Sequence, residues 1–151
     1  MVEKTKNFTE LIVWQKAHML VLDIYKISNS FPKHELFGLT SQIRRAAVSV
    51  PANIAEGYKR RGKSDKSRFF NISQGSLEEV RYYLILAKDL EYIKGNIELI
   101  KQVDETGKLL DSYSTKILES KYSFLSSISP LLFIMASIFC LLTSIFHNIL
   151  R

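Results

Sequence analysis

The stretch "RRAAVSVPANIAEG", residues 44–57, decides how this chain is read. Two arginines open a run of small and apolar residues, and a proline stands where a helix would otherwise continue. Working back and forward from it, Leu36, Leu39, Ile43, Ala47, Val50 and Ile54 recur at three- and four-residue spacing, the mark of one buried helical face. The spacing predicts a helix from residue 33 or 34 to about residue 57. Gly57 marks its end, because glycine accepts the left-handed conformation. Pro51 removes one backbone hydrogen bond and crowds the preceding turn, so a bend is expected near residues 47–50.

The flanking sequence has the same period. Upstream, Leu11, Trp14, His18, Val21, Tyr25 and Ser28 mark a helix over residues 9–30, with Ile12, Leu20, Ile24 and Ile27 widening its apolar stripe, Thr9 as N-cap and Phe31-Pro32 as its stop. Downstream, Ser64 is placed to cap a third helix reaching residue 91, with Phe69, Ile72, Ser73, Ser76, Leu77, Val80, Leu84, Ala87 and Leu90 inward. "SQGS" (73–76) sets glycine mid-helix at a cost of about 1 kcal/mol, a cost that close approach of a neighbouring helix would offset. After a turn at residues 94–96, a fourth helix spans residues 97–120, with Ile97, Ile100, Val103, Leu110, Tyr113, Ile117 and Leu118 inward. No alternating strand pattern competes. Four amphipathic helices with short connections predict an all-α, antiparallel up-down-up-down four-helix bundle over residues 1–120.

Composition agrees. The 151 residues are 46% apolar, enough for a core, and three prolines and six glycines argue against a loop-rich or all-β design. The single cysteine, Cys140, excludes an internal disulfide framework and a cysteine-based zinc cluster. "MVEKTKNFTE" has no signal-peptide character, so a cytoplasmic setting is expected. Residues 121–151 differ in kind. From residue 122 to 146 there is no charge, and "PLLFIMASIFCLLTSIF" is apolar on every face, long enough for a helical tail that spans a bilayer. "SFLSSISP" shortens the continuous apolar run, so a tail docked on the bundle or in an oligomer is the other reading.

At this point three blocks become recognisable: "FTELIVWQKA" (8–17), "FPKHELFGLTSQIRRAAVSVPANIAEG" (31–57) and "SQGSLEE" (73–79). In this order they resemble the bacterial four-helix bundle family encoded in 23S rRNA intervening sequences, over about residues 8–119. The resemblance implies a left-handed antiparallel bundle that assembles as a homopentamer. It also implies kinship with the accessory bundle protein of diversity-generating retroelements, which binds RNA and a reverse transcriptase. The biochemical role of the rRNA-linked branch is not established, and the apolar tail departs from the family pattern.

Charge is concentrated in one place. The net charge is +6, and "YKRRGKSDKSR" (58–68) carries six basic residues against one acidic. Residues 1–57 carry seven against five, and residues 69–151 eight against nine. Lys59, Arg60, Arg61, Lys63, Lys66 and Arg68 therefore form the candidate nucleic-acid site, on a loop expected over residues 58–64. Tyr58 flanks it as a possible stacking ring, whereas Phe69 and Phe70 are expected in the core. Arg44 lies one position off the apolar stripe, can face solvent, and joins the phosphate-binding candidates. A buried arginine needs a carboxylate partner. Gln42, Arg45, Asn53 and Glu56 on one helix, with Glu78 and Glu79 on another, therefore read as a polar network that fixes register or a subunit interface.

Nothing assembles a nucleophile, a base and an orienting group. His18, His34 and His147 fall at no metal-ligand spacing, Glu78-Glu79 point about 100° apart, and no phosphate-binding glycine loop occurs. The expected protein is a non-enzyme without metal, cofactor or small-molecule substrate. Its function is either an oligomeric RNA-associated binding module or a structural scaffold, tail-anchored at a membrane through residues 122–146.

Overall fold

The protein is described here by a computed structural model covering residues 5–119. Among the described residues there are four helices and no strand: α1 (Ile12–Ser28), α2 (Leu39–Lys59), α3 (Lys63–Asp89) and α4 (Ile97–Glu119). Residues 1–115 cluster into one compact unit and 116–151 into a second, of which only the helical residues 116–119 are described. The uncharged run 122–146, Cys140 and His147 lie outside the described residues, and so does the expected helical tail. No described helix is long and apolar enough to cross a membrane.

Named side-chain pairs join neighbouring helices. Between α2 and α3, Gly57 meets Phe69, Val50 meets Ser73 and Ser49 meets Ser76. Between α3 and α4 the sequence is Phe70 with Tyr113, Leu77 with Gly107, then Arg81 with Asp104. Lys16 with Glu105 and Asp23 with Gln102 join α1 to α4. The core between them is aliphatic: Leu20, Ile24, Ile43, Val50, Ile54, Leu77, Val80, Leu84, Val103 and Leu110 are all but inaccessible.

Several expected boundaries move, each for a local reason. Thr9 is not the cap of α1. The Asn7 side chain accepts the Thr9 N–H at 2.9 Å and starts a 3-10 turn, Phe8–Glu10. Extended Leu11 resets the chain before α1 begins. The buried stripe then passes through Val13, Ala17, Leu20, Ile24 and Ser28, leaving His18 and Tyr25 exposed. A second 3-10 turn, Lys33–Glu35, delays α2 to Leu39. Glu35 is the reason: one carboxylate oxygen accepts the Leu39 N–H at 2.8 Å and the other accepts the Tyr92 hydroxyl at 3.3 Å. A Cβ on Gly38 would run into that carboxylate. Leu36, expected inside, is displaced outward and exposed. Ile72, Leu90, Ile97 and Leu118, also expected inside, are exposed as well.

α2 runs unbroken through buried Pro51. Side chains supply bonds to the carbonyls beside it: Asn53 donates to Ser49 O at 2.8 Å and Ser73 donates to Val50 O at 3.0 Å. Gly57 does not end the helix. It is buried within it, and an added Cβ would lie 2.9 Å from Phe69 Cβ, so its bareness is what lets α3 approach. Gly75 faces open space, and the close contact of "SQGS" is made instead by buried Ser73 and Ser76. Just past the end of α3 at Asp89, Glu91 has a φ of 59°, the left-handed conformation that follows a helix C-terminus. Tyr92 N–H reaches back to Ala87 O at 2.9 Å.

Candidate nucleic-acid interface

The basic segment is mostly helical. The loop expected over residues 58–64 shrinks to residues 60–62, because α2 extends through Lys59 and α3 begins at Lys63. Ser64 lies inside α3, and Gly62 occupies the N-cap without a side-chain bond to the helix. The six cations are not equivalent. Arg60 pairs with Glu56 one turn back and lies over the Phe69 ring, 4.6 Å from its centroid. Lys66 sits 5.8 Å from the Tyr58 ring, and the Tyr58 hydroxyl donates to Thr5 O at 2.6 Å. Lys59, Arg61, Lys63 and Arg68 are exposed and have no ion pair or hydrogen bond among the described residues. Phe70 is in the core, whereas Phe69 is half-buried beneath Arg60.

The two arginines that open the deciding stretch exchange roles. Arg44, expected in solvent, is half-buried in the seam between α1 and α2. Its Nε donates to Ser28 Oγ at 2.7 Å, its terminal nitrogen donates to Asn29 Oδ1 at 2.9 Å, and its guanidinium lies 4.8 Å from the Tyr25 ring. Arg45, expected to be architectural, is exposed and has no such partner among the described residues. The reason is angular. One residue is 100° of helix, and Arg45 shares the outer side of α2 with exposed Val48 and Ala52.

The expected polar network is therefore not assembled within one copy of the chain. Gln42 and Glu79 are exposed. Asn53 bonds within its own helix, to Ser49 O and Ser49 Oγ, and Ser49 Oγ meets Ser76 Oγ at 2.8 Å. Glu56 belongs to Arg60. Glu78 belongs to Arg81, which the sequence reading overlooked. Arg81 Nε lies 2.9 Å from Glu78, and its terminal nitrogen 2.7 Å from Asp104 across on α4. Burial acts to lower the Arg81 pKa, but the bonds to Asp104 and Glu78 outweigh it and leave it raised, so the charge is fixed. The i,i+3 spacing of Glu78 and Arg81 was the available signal.

Tyr92 was missed too. Loss of solvent, and then the adjacent Glu35 carboxylate, push its phenol pKa up. Its ring tilts against Phe31, 5.9 Å between centroids, tying the α3–α4 connection to the α1–α2 connection. Among the described residues, no three His, Cys, Asp or Glu side chains come close enough to hold a metal ion.

Comparisons with known proteins fit this geometry. No curated protein matches the chain. Among solved structures, a protein of unknown function from the S23 ribosomal protein family of Bacteroides thetaiotaomicron, solved at 1.70 Å, superposes with a TM-score of 0.63 at 25% identity. The match covers 68% of this chain and 98% of that one. A sequence profile described as 23S rRNA-intervening sequence protein matches residues 9–112, the α1–α4 region that holds every site residue above. The chain belongs to the 23S rRNA-intervening sequence protein family.

Proposed function

We propose that this protein is a non-enzymatic, RNA-associated binding module. Residues 1–120 form an antiparallel up-down-up-down bundle that assembles as a homopentamer, and the basic α2–α3 corner is the RNA contact. The observation that carries the reading is the set of four cations without ionic partners among the described residues, Lys59, Arg61, Lys63 and Arg68, gathered at one end of two helices. Cations held apart from carboxylates are free to displace the counterions of a polyanion. No side-chain bond caps α3 among the described residues, and its N-terminal end favours negative charge, which Asp65 in the first turn supplies in part. Assembly multiplies the effect, since five copies would bring about twenty such cations to one particle and counterion release scales with phosphates neutralised. Arg60 contributes less than its neighbours, because Glu56 already holds it.

The test is RNA binding by the full-length protein across a salt series, beside an Arg61→Ser/Lys63→Ser/Arg68→Ser variant. The expected result is steep salt dependence in the parent. In the variant the log–log salt slope is shallower by about 2, the figure for three phosphates of a single strand. Indifference of the parent to RNA at low salt would sink the proposal. A second reading, a scaffold anchored at a membrane, rests on the uncharged run of residues 122–146. It predicts full-length protein that stays with membranes through a high-salt wash.

A further inference from the structure

We propose that a groove on the α1–α2 face, centred on Phe37 and Arg45, is a second and separate site that takes an unpaired nucleotide of single-stranded RNA. The proposal rests on the RNA-binding reading above but names a different surface. Two adjoining cavities, about 630 and 390 Å³, share Leu36, Thr40 and Arg44 and open along the start of α2. Ligand sites generally fall between about 300 and 1,000 Å³.

The chemistry of the walls selects the occupant. Phe37 is 89% exposed, an unusual setting for a phenylalanine, and it lines the groove together with Tyr25. Such rings offer flat apolar faces on which any base can stack. Among the described residues three cations line the two cavities, Lys33, Arg44 and Arg45, and no carboxylate does. Glu35, the nearest acid in sequence, turns away to hold Leu39 N–H and Tyr92. The excess positive charge asks for an anion, and the aromatic walls ask for a planar ring. A nucleotide carries both.

Arg44 is already oriented. Ser28, Asn29 and Tyr25 fix its guanidinium at the lip where the two cavities meet, so little side-chain entropy is lost when a phosphate arrives. Arg45 on the outer rim is uncommitted among the described residues. Thr40, Ser41 and Ser49 add hydroxyls to the lining, groups that bond to base edges or a ribose. Double-stranded RNA offers its bases no such access, because they are stacked inside the helix.

The test uses the full-length protein and a 12-nucleotide oligouridylate carrying 5-iodouridine, with a duplex of equal length for comparison. The expected crosslink falls in the tryptic peptide 34–44, "HELFGLTSQIR". Phe37→Ala and Arg45→Ser should each weaken single-strand binding about tenfold and leave duplex binding unchanged. Both side chains are exposed, so the melting temperature should not move. Crosslinks confined to residues 58–70, or single-strand affinity lost only in the Arg61/Lys63/Arg68 variant, would overturn this site and leave the basic corner standing. Absence of binding to either RNA would overturn both. A fall in oligomeric mass on Phe37→Ala or Arg45→Ser, read by light scattering, would overturn the site in favour of a contact between copies.

Discussion

The two glycines Gly57 and Gly75 receive the same substitution with opposite expected outcomes. Both lie inside helices, where alanine is favoured over glycine by about 1 kcal/mol. Around Gly75 a new methyl group meets nothing within 4 Å among the described residues, so Gly75→Ala should stabilise the fold by about that amount. At Gly57 the methyl would sit 2.9 Å from Phe69 Cβ and 3.4 Å from Lys66 O. A Cβ cannot swing aside as the tip of a long side chain can, so α3 must move back from α2. Overpacking of this kind costs about 1–3 kcal/mol. Set against the propensity gain, Gly57→Ala should destabilise by about 1 kcal/mol net, leaving about 2 kcal/mol between the two variants. Urea unfolding at fixed protomer concentration reads this directly. With a slope of about 1–3 kcal/mol/M the midpoints should separate by about 1 M, Gly75→Ala above the parent and Gly57→Ala below it. Two variants that both rise by the same amount would refute the claim that Gly57 exists to let α3 approach.

Other outcomes follow from the same contacts. Glu91→Gly should raise stability by about 1 kcal/mol, because Glu91 holds a left-handed φ that costs an L-residue about that much; a thermal melt checks it. The Tyr92 phenol is held above its ordinary value of 10.0, so the folded state keeps a proton that the unfolded chain releases. Its contribution is intact below pH 10 and is lost as pH rises through the folded pKa, and Tyr92→Phe should flatten that part of a denaturation midpoint-against-pH curve. Arg81→Met should lose no more than about 1 kcal/mol, as its partners Glu78 and Asp104 are half-exposed, and the loss should shrink in high salt when urea midpoints are compared. Arg44→Ala should cost about 1–2 kcal/mol and Arg45→Ala less than about 0.5, a difference that differential scanning calorimetry resolves.

Much of the fold was legible in the sequence because long, periodic helices announce themselves. Ile43, Ala47, Val50 and Ile54, and likewise Leu77, Val80, Leu84 and Ala87, point inward as their spacing predicts. The errors collect where a side chain, not a period, sets the backbone. The Glu35 carboxylate postpones α2 by holding the Leu39 amide, and Asn7 turns the chain before α1. Such bonds depend on which rotamer reaches which amide, and residue type alone leaves that open. Gly57 and Gly75 show the same limit. Each is a glycine in a helix, and only the distance to the neighbouring helix separates the one that is required from the one that is not.

The candidate site was legible as charge but not as geometry. "YKRRGKSDKSR" stands out by composition alone, yet composition cannot tell Arg60, spent on Glu56, from Arg61, which has no ionic partner among the described residues. The arginine pair makes the point more sharply. Adjacent residues on a helix differ by 100°, so an error of one position in the assumed face exchanges inside for outside. The expected stripe on α1 ran through His18 and Tyr25 with Ile24 only widening it, but the buried face is centred on Ile24 and leaves His18 and Tyr25 outside. Tyr25 and Ser28 thereby come to the edge that meets α2, where they hold Arg44. On α2 the next residue along, 100° further round, is Arg45, turned outward beside Phe37 and Val48. A charge inside an apolar stretch thus resolves into two opposite functions, one arginine closing the seam between α1 and α2 and the other open to a partner.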